Sequence, residues 1–541
     1  MADAFVIKKS YFRIFPRLAG IYRPENWVLL LAFLAAGAAT IWSFFNGYIT
    51  AYGDAESHLN IAKRVIDSLT PGFAQLGGIW LPLPHIFLIP FVYFDWLWRT
   101  GLAGSIVSGI AFIISAIYIY KIARLMTENK WASLASALVF ISNPNVLYLQ
   151  STPMTELSLI AFFILSSYHF ILFLKSEELL PLIMAALFGF CATLSRYDGW
   201  ALVLMEVGIL FLYYFPVAIG FRGKNLFKGA WPLFEGRLIL FSTLAFVGIA
   251  LWLLWDSLIL GDPLYFTHSQ FSANSQQQSW LERGELPAYR NIIVALKYYF
   301  VTGMSSSGIF IFIAALAGML AFLFNRETKN RFFIWLLLLV PFFFNIATLF
   351  LGQSVIFIPG LTPTTFEWTL FNVRYGVMMV PFAAIFLGYL AHKSGTFGRT
   401  LLAALIIIQA ALFFIGFSPV LALEDGRRGL SSFIAKIPDA QYFLLNNYDY
   451  GLVLLDDYAR AISIIRTNIP MENIIYVGNK PYWDESLREP EKYARWIVMQ
   501  RSDAVWENLN DRPEINARLF KYFNKVYTSE DILIFRRISE N

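Results

Sequence analysis

The stretch Trp27–His58, WVLLLAFLAAGAATIWSFFNGYITAYGDAESH, joins a long apolar run to a cluster of ionisable side chains. Residues 27–45 contain no charged side chain, and a helix of about 20 apolar residues can cross a membrane. Asp54, Glu56 and His58 follow soon after the apolar run ends. Charges at the edge of hydrocarbon cost free energy unless they are paired or functional, so this stretch predicts a membrane helix with a polar site at its end.

The composition of the whole chain indicates a membrane protein. Only 15% of the 541 residues are charged, 57% are hydrophobic and the mean hydropathy is +0.57. Soluble proteins carry about 25% charged residues. The net charge of +5 is explained by basic residues on the inner side of a membrane, so we expect no nucleic-acid partner. Cys191 is the single cysteine, and no disulfide can form within the chain.

Eleven apolar stretches are long enough to be predicted as membrane spans. They lie at 27–45, 103–120, 131–148, 155–174, 179–195, 199–215, 238–258, 299–323, 331–352, 375–391 and 399–420. The apolar stretch 80–98 contains three prolines, an aspartate and a histidine, so we predict a helix lying in the membrane interface. No cleavage site follows the first span, which is therefore predicted to be a retained anchor.

Lysine and arginine positions assign the two sides of the membrane. With the N-terminus inside, the inner segments carry 18 lysines and arginines in 79 residues, and the outer loops carry 8 in 128. This bias has the sign of the positive-inside rule, and it would reverse if 80–98 were a span. An odd number of spans then places the C-terminus outside.

The last part of the chain has a different character. Residues 421–541 hold 16 basic and 18 acidic side chains, and β-like runs such as YGLVLLDD, NIIYVGN, ARWIVMQ and DILIFRR alternate with helix-like stretches such as SLREPEKYA. We predict a polytopic α-helical membrane domain over 1–420 and a small extracytoplasmic α/β domain over 421–541. The larger outer loops of the membrane domain are predicted at 46–102, 259–298 and 353–374.

The unusual polar side chains all fall in predicted outer loops or at the outer ends of spans. They are Asp54, Glu56, His58, Glu156, Arg196, Tyr197, Asp198, His268, Arg374 and Tyr375. Their common side predicts a shared cavity. Carboxylate oxygens at Asp54, Glu56 and Glu156 would suit Mg²⁺ or Mn²⁺. The sequence contains no zinc-site spacing and no phosphate-cradling glycine-rich loop, which excludes a nucleotide-hydrolysing motor.

Each of these residues also has a structural interpretation. Asp54 and Glu56 are two positions apart, cannot share one face of a helix, and could serve as a cap and a first-turn carboxylate. Arg196 and Asp198 could form an ion pair that closes a tight turn. His268 could be an ordinary loop residue.

The same choice exists for the two later charges. Glu156 follows Thr155 and could be a first-turn carboxylate that favours the start of a helix. Arg374 has no acidic neighbour in the sequence closer than Glu367, so an anionic ligand is an attractive partner for its guanidinium.

The order of these motifs resembles the GT-C superfamily of polytopic glycosyltransferases. Within it, the chain looks closest to the branch of the protein O-mannosyltransferases and the lipid A aminoarabinose transferases. An acidic motif, GDAE at 53–56, follows the first span, and a proline-bearing apolar segment, WLPLPH at 80–85, comes next. Glu156 starts a later span in MTEL, and Arg374 with Tyr375 precedes a span that contains a proline. The architecture matches over about residues 20–420.

This resemblance implies a transferase that takes a sugar from a polyprenyl-phosphate-linked donor and works outside the cytoplasm. Arg374 and Tyr375 would bind the donor phosphate, and Asp54 would take the proton from an acceptor hydroxyl. Glu56 or Glu156 would help to stabilise an oxocarbenium-like transition state, and a single displacement would invert the anomeric carbon.

The remaining predicted site residues would line the substrate pocket. They are His58, Arg196, Tyr197, Asp198 and His268. A divalent cation, Mg²⁺ or Mn²⁺, is predicted at Asp54 and Glu156. The expected partners are the lipid-linked donor, a protein, lipid or glycan acceptor, and the surrounding membrane lipids.

Two other classes of function stay open from the sequence. A lipid or sugar transporter or flippase would place ionisable residues near the middle of spans and often contains two-fold repeats. A scaffold or sensor would bind a ligand with its outer domain. The lack of a disulfide pair and of N-glycosylation sequons in the outer regions favours a prokaryotic plasma membrane, with a cytoplasmic N-terminus.

Overall fold

A computed structural model describes residues 24–218, 227–436, 438–457 and 462–538 of the chain. The predicted cytoplasmic N-terminus and its basic side chains up to Arg23 lie outside the described residues, as do residues 219–226 of the loop between the predicted spans 199–215 and 238–258.

α-Helices are the main regular elements of the described chain up to residue 414. They are α1 (Pro24–Phe45), α2 (Gly53–Ile66), α3 (Leu83–Val92), α4 (Asp95–Thr100), α5 (Leu102–Thr127), α6 (Lys130–Ile141), α7 (Pro144–Gln150), α8 (Glu156–Ser176), α9 (Leu179–Thr193), α10 (Asp198–Ala218), α11 (Phe227–Leu260), α12 (Tyr265–His268), α13 (Ala273–Gln276), α14 (Gln278–Glu282), α15 (Ile292–Ser307), α16 (Ile309–Phe324), α17 (Arg331–Leu338), α18 (Val340–Leu351), α19 (Val380–Lys393) and α20 (Thr396–Phe414).

Six helices in the described ranges are long and apolar enough to cross a membrane: α1, α5, α8, α11, α20 and the continuous segment Val373–Lys393 that contains α19. Three bent pairs of helices, α6 with α7, α15 with α16 and α17 with α18, raise the number to nine if each pair is one span. The other two predicted spans correspond to α9 and α10. The count of eleven therefore stays a prediction.

The stretch predicted as one span at 299–323 is two helices that meet at an angle of 112°. The bend lies at Gly308, whose φ of +91° suits glycine and few other residues. A Cβ at Gly308 would also lie 2.5 Å from the side chain of Gln409. The glycine therefore fixes a sharp turn that an apolar pattern does not reveal.

The proline-rich stretch 80–98 forms two short helices, α3 and α4, of 10 and 6 residues. A membrane-crossing helix needs about 20 residues, so neither α3 nor α4 can span a bilayer. Trp98 of α4 is fully buried and packs with α2 and α3 in one apolar cluster. These helices close the region between the membrane helices and the C-terminal sheet.

After α20, the described chain contains six helices and five strands. They are α21 (Leu421–Lys436), α22 (Pro438–Asn447), β1 (Val453–Leu455), β2 (Ile474–Ile475), α23 (Tyr482–Arg488), α24 (Pro490–Tyr493), β3 (Trp496–Gln500), α25 (Ala504–Leu509), α26 (Pro513–Tyr522), β4 (Phe523–Thr528) and β5 (Ile532–Arg537). The four β-like runs of the sequence are β1, β2, β3 and β5, and β4 was not predicted. The domain boundary at 420 stays a prediction.

The strands form one mixed sheet in the order β2-β1-β3-β5-β4. β1 is parallel to both β2 and β3, with Val453 opposite Ile474 and Trp496. β5 is antiparallel to β3 and β4. Helices cover one face of this sheet, and the other face packs on α2, α3 and α4. The helix that carries the acidic GDAE motif thus lies between the membrane helices and the sheet.

Candidate active site

Asp54 lies in the first turn of α2, where the positive end of the helix favours a carboxylate. Its Oδ2 atom accepts a hydrogen bond from Nη2 of Arg374 at 2.8 Å. The Asp54 side chain is 34% exposed, so solvent reaches this carboxylate. Asp54 therefore combines a charged partner with open access.

Arg374 belongs to a short 3₁₀ helix, Val373–Met379, which leads into α19. Gly376 brings this turn close to α15, because a Cβ at that position would lie 2.5 Å from a backbone oxygen of α15. The Arg374 guanidinium donates from Nε to Oε1 of Glu156 at 3.2 Å and from Nη2 to Asp54 at 2.8 Å. One planar fork thus joins carboxylates from two helices that are distant in the sequence.

Glu156 opens α8 and is completely buried. Its Oε1 atom accepts hydrogen bonds from Arg374 and from Nη1 of Arg196, both at 3.2 Å. Arg196 also donates to the Thr155 hydroxyl at 3.1 Å and lies 3.5 Å from Asp198. A buried carboxylate is stable here because two guanidinium groups neutralise it.

Tyr375 completes this charged cluster with its ring. The guanidinium groups of Arg196 and Arg374 lie 5.3 Å and 5.2 Å from the ring centroid. The backbone oxygen of Tyr375 accepts a hydrogen bond from the Tyr299 hydroxyl at 3.2 Å. Cation–π contacts of this length hold both arginines in place.

Asp425 is a site residue that sequence reasoning missed. It lies on α21, is buried, and its Oδ2 atom has no hydrogen-bond partner among the described residues. Burial raises the pKa of Asp425 to about 6, and the charges of Arg374 and Asp54 act on it in opposite directions. A carboxylate directly after the last predicted span was the available signal, but it was assigned to the C-terminal domain.

The start of α21 is fixed close to Asp54. The Tyr52 hydroxyl donates to the backbone oxygen of Ala422 at 2.5 Å, and the Ala422 amide donates to Oδ1 of Asn145 at 2.9 Å. Tyr52 also faces the Arg374 guanidinium at 5.0 Å from its ring centroid. These contacts hold Asp425 beside the charged cluster.

His58 lies one turn along α2 and forms a pair with His85 of α3. The distance from Nδ1 of His58 to Nε2 of His85 is 2.8 Å, and the Trp80 ring lies 4.5 Å from that of His58. Burial lowers the pKa of His58 to about 4, although the nearby Asp54 charge acts in the opposite direction. The imidazole is therefore neutral near pH 7, and one ring donates the shared proton while the other accepts it.

Glu56 does not join Asp54 at one reaction centre, contrary to the grouping predicted from the sequence. Its Oε2 atom accepts a hydrogen bond from the Ser463 hydroxyl at 2.7 Å, and its Oε1 atom accepts one from the Ile465 amide at 3.3 Å. Residues two apart on a helix point in different directions, so α2 directs Asp54 to the arginines and Glu56 to the C-terminal domain.

Tyr197 and His268 also lie away from the charged cluster. The Tyr197 hydroxyl donates to the backbone oxygen of Ile79 at 2.7 Å, and its ring stacks on Phe266. His268 has a side chain that is 61% exposed and contacts Asp262 at 2.6 Å. The structure therefore does not place His268 in the pocket predicted for it.

Metal binding was predicted at Asp54 and Glu156. Across the described ranges, no group of three or more His, Cys, Asp or Glu side chains is arranged to hold a metal ion. Asp54 and Glu156 share the Arg374 guanidinium, so a cation between them would meet a positive charge. The residues suit an arginine-neutralised site better than a metal site, and the metal stays a prediction on which no step below depends.

The cluster combines a partly exposed carboxylate, Asp54, with the forked guanidinium of Arg374. Asp54 can accept a proton from the open side, whereas Glu156 is closed off behind two arginines. Arg374 can bind a phosphate with the same fork that now binds Asp54. This arrangement suits displacement of a phosphate-linked group by a hydroxyl.

Comparison with solved structures shows the fold. The chain superposes on the crystal structure of ArnT from Cupriavidus metallidurans bound to undecaprenyl phosphate with a TM-score of 0.57, at 11% identity over 95% of this chain and 98% of that chain. The apo structure of the same protein gives a TM-score of 0.52 at 13% identity, with the same coverage. A scan of protein-family models and a search of curated proteins gave no match. The GT-C resemblance seen in the sequence is confirmed for the fold.

Proposed function

We propose that this GT-C-fold membrane protein moves a sugar from a polyprenyl-phosphate-linked donor to an acceptor hydroxyl, with Asp54 as the base. The main support is the Arg374 fork, which joins a partly exposed carboxylate and a buried one at 2.8 Å and 3.2 Å. The ArnT structure on the same fold was solved with undecaprenyl phosphate bound, which supports this class of donor.

The proposed reaction is a single displacement. The acceptor oxygen bonds to the anomeric carbon and gives its proton to Asp54, while the bond from that carbon to the phosphate oxygen breaks. The polyprenyl phosphate leaves with the electron pair, and Arg374 stabilises its charge. Attack from the side opposite the phosphate inverts the anomeric carbon.

Arg374 has two partners in succession in this proposal. In the structure its guanidinium holds Asp54. When the donor phosphate takes up that guanidinium, Asp54 loses a positive partner and becomes a better proton acceptor. Binding of the donor would thus prepare the base, which limits activation of a hydroxyl in the absence of donor.

Glu156 is proposed to position the arginines rather than to react. It has no exposed surface and bonds to both Arg196 and Arg374. His58 and His85, neutral beside the cluster, would contribute hydrogen bonds to the sugar or to the base. Asp198 would support the pocket through its contact with Arg196 at 3.5 Å, and Tyr197 would support it from outside the charged cluster through its hydrogen bond to Ile79.

The orientation in the membrane follows from the charge bias of the loops. We propose eleven spans, a cytoplasmic N-terminus, and a catalytic cluster and C-terminal domain on the extracytoplasmic side of a prokaryotic plasma membrane. The lipid tail of the donor would lie in an apolar groove between spans.

A transfer assay tests the proposed function. Purified protein in detergent receives radiolabelled polyprenyl-phosphate hexoses and a membrane extract as the acceptor source. We expect label to leave the donor and appear in a product that identifies the acceptor. No consumption of any donor by the folded protein would contradict the proposal and favour the transporter interpretation.

Glu56 provides a prediction that separates positioning from catalysis. Glu56→Gln weakens the hydrogen bonds that Ser463 and Ile465 now donate to a charged carboxylate. Glutamine keeps an oxygen acceptor but not the charge, and a hydrogen bond to a charged group contributes about 1 kcal/mol more than one to a neutral group, so we expect kcat/KM to fall about three- to tenfold. Steady-state kinetics on Glu56→Gln, Ser463→Ala and the double variant check this.

Glu56→Gln and Ser463→Ala each disrupt the same hydrogen bond, one at the acceptor and the other at the donor. The loss of kcat/KM in the double variant should therefore be no larger than in either single variant. Additive losses would refute the shared contact. A loss in Glu56→Gln as large as that in Asp54→Asn would return Glu56 to the reaction centre.

Asp425 provides a pH prediction. Its carboxyl group is neutral below about pH 6 and charged above it. The titratable and charged side chains near it are Asp54, Arg374, Arg428, Tyr52 and Tyr148. The charged carboxylate of Asp425 would attract the Arg374 guanidinium and so weaken the attraction between Arg374 and the donor phosphate. We expect the donor KM to rise severalfold from pH 5 to pH 7 and to stay flat in Asp425→Asn.

The same group affects stability. The folded pKa of about 6 exceeds the value near 3.9 of an exposed aspartate, so the folded state holds the proton more tightly. The contribution of Asp425 to the free energy of unfolding should therefore fall as pH rises between those two values, and the difference between the wild type and Asp425→Asn measures it. His58 contributes in the opposite direction, because its folded pKa of about 4 lies below the ordinary value of 6.5 and its contribution to stability rises with pH between the two. This contribution is present in both proteins and cancels from their difference. A donor KM that rises with pH in Asp425→Asn as much as in the wild type would refute the role of Asp425 in the pH dependence.

A further inference from the structure

A large polar cavity lies at the ends of the membrane helices opposite the catalytic cluster. The segment Glu156–Ser176 begins at the cluster and has 21 residues, as does Val373–Lys393. At about 1.5 Å per residue each is roughly 30 Å long, the thickness of the hydrocarbon core. The far ends of these two helices therefore reach the other membrane boundary.

The cavity lies between those far ends and has a volume of about 980 Å³. Its walls come from the end of α5 and start of α6, the end of α8, the loop after α16, and the end of α19. Ligand sites are usually of about 300–1,000 Å³, so a phosphate headgroup with its glycerol has enough room. We refer to this space as the basic cavity.

Positive charge is in excess in the basic cavity. Its lining contains five lysines and arginines and two glutamates: Arg124, Lys130, Lys175, Lys329, Lys393, Glu128 and Glu327. Lys393 lies 3.8 Å from Glu327, but Arg124 and Lys329 have no ion-pair partner within the described residues. Lys175 donates a hydrogen bond to the Leu125 backbone oxygen and Lys130 lies against Trp131, so Arg124 and Lys329 are the two basic side chains left available for an anion.

Several uncharged side chains at the edge of the basic cavity form hydrogen bonds with one another, and a tryptophan indicates which edge faces the lipid. The Asn325 amide donates to the hydroxyls of Thr328 at 3.0 Å and Tyr389 at 2.8 Å. Trp131 is 66% exposed at the edge, next to Lys130 at 5.4 Å from its ring centroid. Exposed tryptophan beside lysine is typical of the level of lipid headgroups.

We propose that the basic cavity binds the phosphate headgroup of an anionic phospholipid from the leaflet opposite the catalytic cluster. Basic pockets between the ends of membrane helices on the cytoplasmic side are suited to such headgroups. Arg124 would bind phosphate oxygens with its fork, and Lys329 would add charge from the loop. The bound lipid would join four segments of the chain at that boundary. This inference does not depend on the transferase reaction.

Native mass spectrometry of the delipidated full-length protein tests the proposal. Phosphatidylglycerol and phosphatidylcholine are titrated into the wild type and into Arg124→Gln/Lys329→Gln. We expect the first phosphatidylglycerol to bind at least tenfold more tightly than phosphatidylcholine. The cavity variant should lose roughly thirtyfold in that affinity, since each basic group contributes about fivefold.

A charge-matched control is Arg512→Gln/Lys525→Gln in the C-terminal domain, which should keep the wild-type selectivity. Thermal unfolding verifies that the variants fold, and Lys329→Gln alone, with an expected loss of about fivefold, serves if the double variant does not. Equal binding of the two lipids, or unchanged selectivity in the cavity variant, would overturn the proposal. Competition by glycerol phosphate as effective as that by the lipid would overturn it in favour of a soluble anion.

Discussion

Asp54→Asn is expected to reduce transfer by about 10²–10⁴-fold, the usual contribution of a general base. Asparagine keeps an oxygen that can accept the hydrogen bond now donated by Arg374 at 2.8 Å, so the arginine should stay in place. What is lost is the ability to take a proton. Because Asp54 is partly exposed, the free energy of unfolding should change by about 1 kcal/mol or less.

Single-turnover rates with bound donor and saturating acceptor give the most direct measurement of this effect. Asp67→Asn is a matched control, since Asp67 follows the other end of α2 and pairs with Lys63 at 3.2 Å. That control should transfer at close to the wild-type rate. A rate for Asp54→Asn within threefold of the wild type would exclude Asp54 as the base.

Arg374→Lys is expected to reduce kcat/KM for the donor by about 10²–10³-fold, as loss of a preorganised charge contact does in other enzymes. Lysine keeps the positive charge but not the planar fork, so it cannot bond to Asp54 and Glu156 with the same geometry. The KM for the acceptor should change by less than about threefold, because the acceptor approaches Asp54 rather than Arg374 in the proposed reaction. Donor and acceptor titrations on the same preparation separate the two effects.

Arg374→Ala should also lose stability. It leaves the buried Glu156 with one guanidinium instead of two, and removal of one partner from a buried pair typically costs about 3–5 kcal/mol.

Arg283→Lys is a matched control for Arg374→Lys, because Arg283 also contacts two carboxylates, at 3.0 Å and 2.6 Å, but on an exposed loop. Equal losses for donor and acceptor in Arg374→Lys would contradict a phosphate-binding role.

The sequence predicted those site residues whose charged side chains lie next to long apolar segments. Asp54, Glu156, Arg196 and Arg374 stood out because each borders an apolar span, and the structure brings all four together. Asp425 follows a span in the same way. It escaped notice because the change of composition after residue 420 suggested a separate domain.

Two predicted positions show where the pattern was not enough. Glu56 is next to Asp54 in the acidic motif, but the direction of a side chain depends on whether the segment is a helix or a loop. α2 is a helix, and Glu56 therefore meets Ser463. His268 is polar and follows a span, yet its side chain is largely exposed.

The sequence by itself determined the membrane character, the apolar helices and four of the five strands, because hydrophobic period and length are local properties of the chain. It also indicated the side on which the charges meet, since the bias of lysine and arginine is a property of composition. Only the tertiary structure decided which carboxylate shares a guanidinium with which. The Asp54–Arg374 pair spans 320 positions, and such contacts depend on how helices pack and where backbones bend, as at Gly308 and Gly376.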